Sequence, residues 1–463
     1  MRKAITFLLA AFVLVGIFFL LRSYFPKYTI FLPWFLILIF LDIYLWYSIA
    51  RAIRSRKPLI RYLITGFYWL PLLILFSIII AGFVKPFISW NIFWRTYLIA
   101  IIAIVYICKL FPIFFLILAD IISLIIRLSR LISGKGFAPR HADDPQVSED
   151  VNQRITVKNM ILSAGWIIGT AFFVLFIAGM ILWNFDFRVR QETIHLPELP
   201  ASFIGMRIVQ ISDLHLGNWG FPNKLKEAAD IVNSLHPDIV FFTGDLVNYT
   251  SYEAYGFANI LKEIKAPLGI FTIMGNHDYG EYVAWSSPED KIKNLNYLYE
   301  IYHYLGWKLL RNEHIFIHRG NDSIAIIGVE NWGGTKRFPR LGDLAKATQG
   351  IEETPVQLLL SHDPSHWDRI VRHSFRDIDI TFSGHTHGFQ FGVECCGIQW
   401  SPFQHIYREW AGLYSDPVPG SHPQYLYVNR GLGSIGYPGR IGILPEITLI
   451  TLLSSYPTPS PLP

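Results

Sequence analysis

The stretch VQISDLHLG, residues 209–217, decides how the C-terminal part of the chain is read. It begins as a buried strand, with Ile208, Val209 and Ile211 apolar, and then offers Asp213 and His215 two residues apart, with Gly217 behind them. Strand ends commonly finish in polar turn residues, so this pair alone has an ordinary reading. Its meaning depends on whether other strand ends supply partners.

Outward from this stretch, strand-like and helix-like segments alternate. Strand MRIVQIS leads to helix PNKLKEAADIVNSL, in which Leu225, Ala228, Ile231, Val232 and Leu235 recur at helical spacing. Strand DIVFFTG, helix FANILKEIK and strand LGIFTIMG follow, and then a long helix near 288–305 with Ser287 as N-cap and Pro288 in its first position. HIFIH and SIAIIGVE read as a hairpin. VQLLLSH, helix SHWDRIVRH, IDITFSGH, QYLYVNRG and EITLITLLS complete the series. The pattern predicts a strand-rich α/β domain with a sheet core and helices outside.

Polar residues collect at the strand ends, where open α/β sheets place their sites. Asp213 and His215 stand at the first end, Asp245 at the second, and Asn276, His277 and Asp278 at the third; His362, then His385 and His387, follow two later strands. A lone His or Asp after a strand is usually a hydrogen-bonded turn residue. Five such ends are hard to obtain by accident. The donors are oxygen and imidazole without thiolate, which suits Mn, Fe or Zn better than calcium. They exceed what one ion uses. A pair of divalent ions bridged by a carboxylate fits better, and two-metal sites serve in-line phosphoryl displacement.

The ordered set D-x-H, G-D, G-N-H-D, a strand-end His and G-H-x-H resembles the calcineurin-like metallophosphoesterase superfamily, over about residues 200–453. LPELPASFIGMRIVQISDLHLG and VNRGLGSIGYPGRIGILPEITLITL are similar to the ends of its membrane-bound bacterial subgroup, related to transmembrane protein with metallophosphoesterase domain. The resemblance implies a four-layer α/β/β/α sandwich. It implies that Asp213, His215 and His387 hold one metal, Asn276, His362 and His385 the other, and that Asp245 bridges them, with a hydroxide between the ions as nucleophile. His277 is then a phosphoryl contact or general acid, and Asp278 a catalytic residue that orients it or caps the turn. Related enzymes cleave UDP-2,3-diacylglucosamine, a lipid-linked pyrophosphate.

Substrate choice falls to the loops. ENWGGTKRFPR (330–340) offers Trp332, Lys336, Arg337 and Arg340, and GLGSIGYPGR (431–440) offers Arg440. Trp332, Arg337 and Arg440 are the weak substrate-contact candidates, against a solvated basic turn as the ordinary reading. The glycine-rich loop lacks the G-K-[ST] ending of a P-loop. His366 and Trp367 read as helix-start packing. Cys395 and Cys396 are adjacent, which rarely suits a disulfide; an ordinary loop pair and a thiolate ligand pair are the two readings.

The rest of the chain has a different composition. The protein has 463 residues, 52% hydrophobic and 16% charged, whereas soluble domains carry about a quarter charged residues. Apolar runs at about 4–21, 29–50, 59–84, 97–126 and 160–183 are each long enough to cross a membrane, which takes ~20 helical residues. The run at 97–126 reads as one long helix, with two re-entrant segments as the alternative. An all-α membrane domain (1–186, about five spans), a connector (187–206), the α/β domain (207–455) and a Pro-rich tail (456–463) follow from this. Asp42, Lys109 and Asp120 fall in or near spans, where ionisable residues pair or mark a pathway.

The net charge of +5 is divided unevenly: residues 1–160 hold 18 Lys/Arg and 6 Asp/Glu, and residues 161–463 hold 22 and 29. The basic excess belongs to the membrane part, which argues against nucleic acid, and no nucleic-acid partner is expected. Positive charges at the N-terminus, 51–61 and 127–158 outnumber those on the other side by 13 to 6. The positive-inside rule therefore turns the α/β domain outward from the cytoplasmic membrane. The expected function is a membrane-anchored dinuclear metal-dependent hydrolase acting on a phosphoester, diesters and lipid-linked substrates included. A cytoplasmic placement would favour the UDP-2,3-diacylglucosamine reaction, and a non-catalytic membrane protein binding a phosphorylated ligand is the alternative from another class.

Overall fold

The computed structural model describes residues 19, 32–85, 87–132, 145–334, 338–417 and 423–454. The first apolar run apart from Phe19, Lys336 and Arg337 of the basic loop, and the Pro-rich tail lie outside them. The chain forms two compact units, Met1–Val84 with Ile102–Phe173 and Lys85–Ile101 with Val174–Pro463.

The described helices at the N-terminal end are α1 (Leu32–Ala52), α2 (Pro58–Val84), α3 (Ile99–Ile132, entered through a π-helical turn Trp94–Leu98) and α4 (Pro145–Ala178, left through a π-helical turn Gly179–Trp183). Four stretches are long and apolar enough to cross a membrane: Pro33–Ala52, Pro58–Gly82, Trp94–Ile126 and Val157–Trp183. The run at 97–126 is one continuous helix despite Pro112. Asp42 and Lys109 pair at 2.8 Å, as the cost of lone charges in an apolar bundle demands. Tyr68 and Tyr106 donate hydroxyls to the Asp42 carbonyl and carboxylate, at 2.7 and 3.0 Å. Asp120 likewise pairs with Lys158 and accepts from Tyr44.

The second unit holds two six-stranded sheets. The first runs β1 (Arg188–His195), β14 (Glu446–Leu453), β2 (Arg207–Ile211), β3 (Ile239–Phe242), β4 (Ile270–Thr272) and β5 (Lys308–Leu309). The second runs β12 (Gly412–Asp416), β13 (Gln424–Val428), β9 (Ile380–Ser383), β8 (Gln357–Leu360), β7 (Asp322–Gly328) and β6 (Glu313–Arg319). A hairpin, β10 (Val393–Cys395) with β11 (Ile398–Trp400), stands apart. Strands β2 to β5 are mutually parallel, as are β7, β8, β9 and β13. The expected β6–β7 hairpin is antiparallel.

Burial explains the uninterrupted apolar strands. Ile208, Ile239, Phe241 and Phe271 of the first sheet meet Ile326, Leu358, Ile380 and Phe382 of the second in one core. The opposite face of the first sheet, with Val209, Ile211, Val240 and Phe242, packs on helix α5 (Pro222–Ser234) and helix α6 (Pro288–Leu305). The outer face of the second, with Ile327, Leu359 and Val428, packs on Leu344, Trp367 and Val371. Each sheet is covered on both sides, so its central strands carry apolar residues at successive positions. The layers are α/β/β/α. Helix α6 has the expected ends: Ser287 Oγ accepts the Asp290 N–H at 3.2 Å, and Gly306 closes it at φ +73°.

The sequence reading does not include strands β5, β10, β11 and β12, and two segments that it does include differ. The connector is not a free linker: Arg188–His195 pairs along its whole length with β14 and forms the sheet edge. Its prolines lie beyond the strand, at 197 and 200. FANILKEIK yields only the short helix Ala258–Leu261.

Candidate metal centre

The parallel strands of both sheets end at the same edge of the sandwich, and the ordered motifs converge there. Asp213 and His215 follow β2, Asp245 follows β3, Asn276 and His277 follow β4, His362 follows β8, and His385 and His387 follow β9. Five of these residues, Asp213, His215, Asp245, His385 and His387, have left-handed backbone, with φ between +47° and +72°. Such a conformation costs a non-glycine residue on the order of 1–2 kcal/mol. It turns the chain sharply enough to aim neighbouring side chains at one point. Glycines permit the close approach: a Cβ on Gly275 would strike the Asp245 carboxylate, and one on Gly384 the Asp213 carboxylate.

Two groups of potential ligand atoms result. Asp213, His215 and His387 form one, and Asp245, His362 and His385 the other, each with its donor atoms within 4.8 Å of one another. Asp245 reaches both, since its Oδ2 lies 3.6 Å from His215 Nε2 and 3.2 Å from His362 Nε2. His362 Nδ1 donates to the Thr243 carbonyl at 2.7 Å, which leaves Nε2 unprotonated towards the centre in the neutral ring. His385 Nδ1 lies 3.2 Å from that Nε2, and His215 and His387 meet Nε2 to Nε2 at 2.9 Å. Asn276 gives its Nδ2 to Tyr282 Oη at 2.8 Å, while its Oδ1 is buried without a hydrogen-bond partner. A buried orphan acceptor beside two carboxylates and four imidazoles fits a cation, since unpaired buried polar atoms are otherwise costly. Neither group contains a cysteine; Cys395 and Cys396 are exposed and free, as an ordinary loop pair would be.

The electrostatics agree. Burial opposes charge on Asp213, yet His387 and His362 hold its carboxyl well below the usual range. Burial equally opposes charge on His362, but Asp245 and Asp213 raise it to about 10. Burial pushes the neighbouring His215, His277 and His385 down, and for His215 and His385 this is towards the neutral imidazole that a metal ligand requires.

His277 is half-buried at the same edge. Its Nδ1 lies 2.8 Å from the Asn248 carbonyl and its backbone N–H donates to Asp245 Oδ1 at 2.8 Å. Its ring stacks on Tyr282 at 4.2 Å and meets His215 edge-on at 4.9 Å. Nε2 is the ring nitrogen left without a hydrogen bond to the described residues.

Three sequence expectations change. Asp278 does not orient His277. Its two oxygens accept the backbone N–H groups of Asp245, Leu246, Val247 and Gly275 at 2.8–3.2 Å, so it ties the second and third loops together. Arg440 is fully buried rather than at a rim, and donates to the carbonyls of Arg430, Gly431 and Gly433. It holds the glycine-rich loop beside His387. Trp332 is buried between the His366 ring, stacked at 4.9 Å, and the Arg340 guanidinium at 4.3 Å. Arg337 lies outside the described residues. Sequence reasoning missed Tyr282, Asn248 and Tyr407, whose hydroxyl lies 2.9 Å from His385 Nε2. No spacing marks them, because each reaches the centre through the fold.

Comparison with known proteins agrees with this geometry. Residues 206–389 match the family described as calcineurin-like phosphoesterase, and residues 27–182 match a probable calcineurin-like phosphoesterase transmembrane domain. A transmembrane protein with metallophosphoesterase domain from Danio rerio is 30% identical over 332 residues, covering 70% of this chain and 68% of that one. The chain belongs to the calcineurin-like phosphoesterase family. It is also similar to a UDP-2,3-diacylglucosamine pyrophosphatase of Chlamydia muridarum, 32% identical over 51% of this chain and 81% of that one. An uncharacterised metallophosphoesterase of Bacillus subtilis is 31% identical over 57% and 85%. The chain is a multi-pass membrane protein of a family that uses divalent metals, with two groups of potential ligand residues.

Proposed function

We propose that the protein is a membrane-anchored dinuclear metal-dependent hydrolase of phosphoesters, lipid-linked phosphoesters above all. The observation that carries this reading is the position of Asp245, within 3.6 Å of one ligand group and 3.2 Å of the other. Asp213, His215 and His387 would hold one divalent ion, Asn276, His362 and His385 the second, and Asp245 both. Bound there, two such ions supply Lewis acidity to the phosphoryl oxygens and a water acidic enough to attack near neutral pH. The chain's own part is orientation and proton transfer. Thr243 fixes the His362 tautomer, Tyr282 turns the Asn276 oxygen inward, and His277 presents Nε2 to the phosphoryl group or its leaving oxygen.

The anchor favours a substrate that itself resides in a membrane. Four helices that each cross once put 51–61 and 127–158, with eleven Lys/Arg, on the side opposite the phosphoesterase domain. The positive-inside rule then supports an outward-facing domain. The similarity to the Chlamydia pyrophosphatase favours a second reading, in which the domain is cytoplasmic and cleaves a UDP-diacylglucosamine.

Two measurements test these statements. The solubilised full chain, supplied with Mn, is expected to hydrolyse bis-p-nitrophenyl phosphate or p-nitrophenyl phosphate and to lose that activity on chelation. Bound Mn with no turnover of either probe or of membrane phospholipid extracts would leave a phospho-ligand-binding protein instead. Cys395 and Cys396 are exposed while Cys108 is buried, so a membrane-impermeant maleimide is expected to label intact spheroplasts. Labelling only after permeabilisation would move the domain inside and favour the second reading.

A further inference from the structure

Arg95 is one of the six Lys/Arg counted on the less basic side of the membrane, two residues before the apolar run at 97–126. The structure buries it in the same compact unit as the candidate centre, at the start of the candidate span Trp94–Ile126. Its Nη2 donates to the Gly217 carbonyl at 3.0 Å and pairs with Glu253 Oε1 at 3.3 Å. The Thr96 hydroxyl reaches the same carbonyl at 3.4 Å. Glu253 Oε2 accepts the backbone N–H of Asn248 at 2.6 Å and of Tyr249 at 3.2 Å. The carbonyl of that same Asn248 accepts from His277 Nδ1 at 2.8 Å. There is little slack: a Cβ on Gly217 would come within 2.5 Å of the Glu253 carboxylate. Burial pushes the Glu253 carboxyl up, and the Asn248 N–H and Arg95 pull it back.

We infer that the buried Arg95–Glu253 pair positions His277, by fixing residue 248, whose carbonyl sets the orientation of the imidazole. Arg95 touches no reacting atom and is a positioning residue. The pair is a poor device for stability alone, since well-packed apolar residues of similar volume often hold a core as well as a buried ion pair. Apolar residues could not accept two backbone N–H groups and so hold the 248–249 peptides in register. The first turn of a membrane-span helix thereby takes part in aligning the group that faces the substrate. The inference rests on the proposed role of His277.

The test is a double-mutant cycle on the full-length, Mn-loaded protein, with phenyl and p-nitrophenyl phosphodiesters as probes. Glu253→Gln keeps the side-chain shape, and Arg95→Met removes the charge. Each is expected to lower kcat on the phenyl ester by about 10–100-fold, the usual cost of losing an orienting partner. The loss should be smaller on the nitrophenyl ester, whose leaving group needs little protonation, with KM and Mn content unchanged. In a His277→Ala background neither substitution should lower kcat further, because groups acting as one unit are not additive. Losses that multiply in that background, loss of Mn, or an ester dependence unlike that of His277→Ala would overturn the inference. A silent His277→Ala would instead overturn the role of His277, and the positioning role with it. Should Arg95→Met fail to fold, Glu253→Gln alone decides, with Arg95→Lys expected to retain part of the rate.

Discussion

His277→Ala is expected to lower kcat by about 10²–10⁴-fold on a phosphoester with a poor leaving group, the range of general acid catalysis by a placed side chain. The ring is set for that task by three contacts: the Asn248 carbonyl on Nδ1, the Tyr282 face and the His215 edge. The half-buried Nε2 can then donate to the departing oxygen when the ring is protonated. With p-nitrophenolate as leaving group the loss should shrink, since that anion departs without help. Mn content should remain at the wild-type level, because the imidazole belongs to neither ligand group. Steady-state kinetics on both ester types, with metal analysis of the same samples, check this. Equal losses on both would assign the ring to phosphoryl binding rather than proton transfer.

Asp278→Ala is expected to cost about 4–8 kcal/mol of stability, enough to unfold much of the domain. Four backbone N–H groups lose their acceptor at once, and each buried donor left unpaired costs ~1–3 kcal/mol. Domains are stable by only ~5–15 kcal/mol. Asp278→Asn, which keeps one acceptor oxygen, should fall between the two. Thermal or denaturant unfolding of the purified protein measures the effect. A variant that unfolds like the wild type but turns over slowly would restore a catalytic role for this carboxylate.

These two neighbours show what a sequence can carry. Asp278 and His277 are adjacent and both polar, and the spacing of G-N-H-D does not say which faces substrate. Their division of labour depends on the loops after β3 and β4 meeting, a contact across 32 or 33 positions. What was legible is local or periodic: the apolar strands, the capped helix at 288–305, and the polar residue that each parallel strand must present where its ladder ends. Illegible were features made by distant packing. Arg440 resembles a free cation until the glycine-rich loop closes around it, and Arg95 resembles a membrane-flanking charge until Glu253 meets it across 158 positions. The strand Arg188–His195 hid behind the prolines that follow it.

The way the centre draws on both sheets also fixes when it can exist. His215 and His387 lie 172 positions apart in the chain, and no local segment gathers either ligand group. The last strand, β14, sits beside β2 in the interior of the first sheet, although it carries no ligand. A growing chain therefore completes the first sheet beside β2 only once β14 has been made and inserted. Ions captured at that point would bind the docked sandwich and not its parts, and would lock the two sheets together by mass action. Metal loading would then act as a checkpoint on the completion of folding.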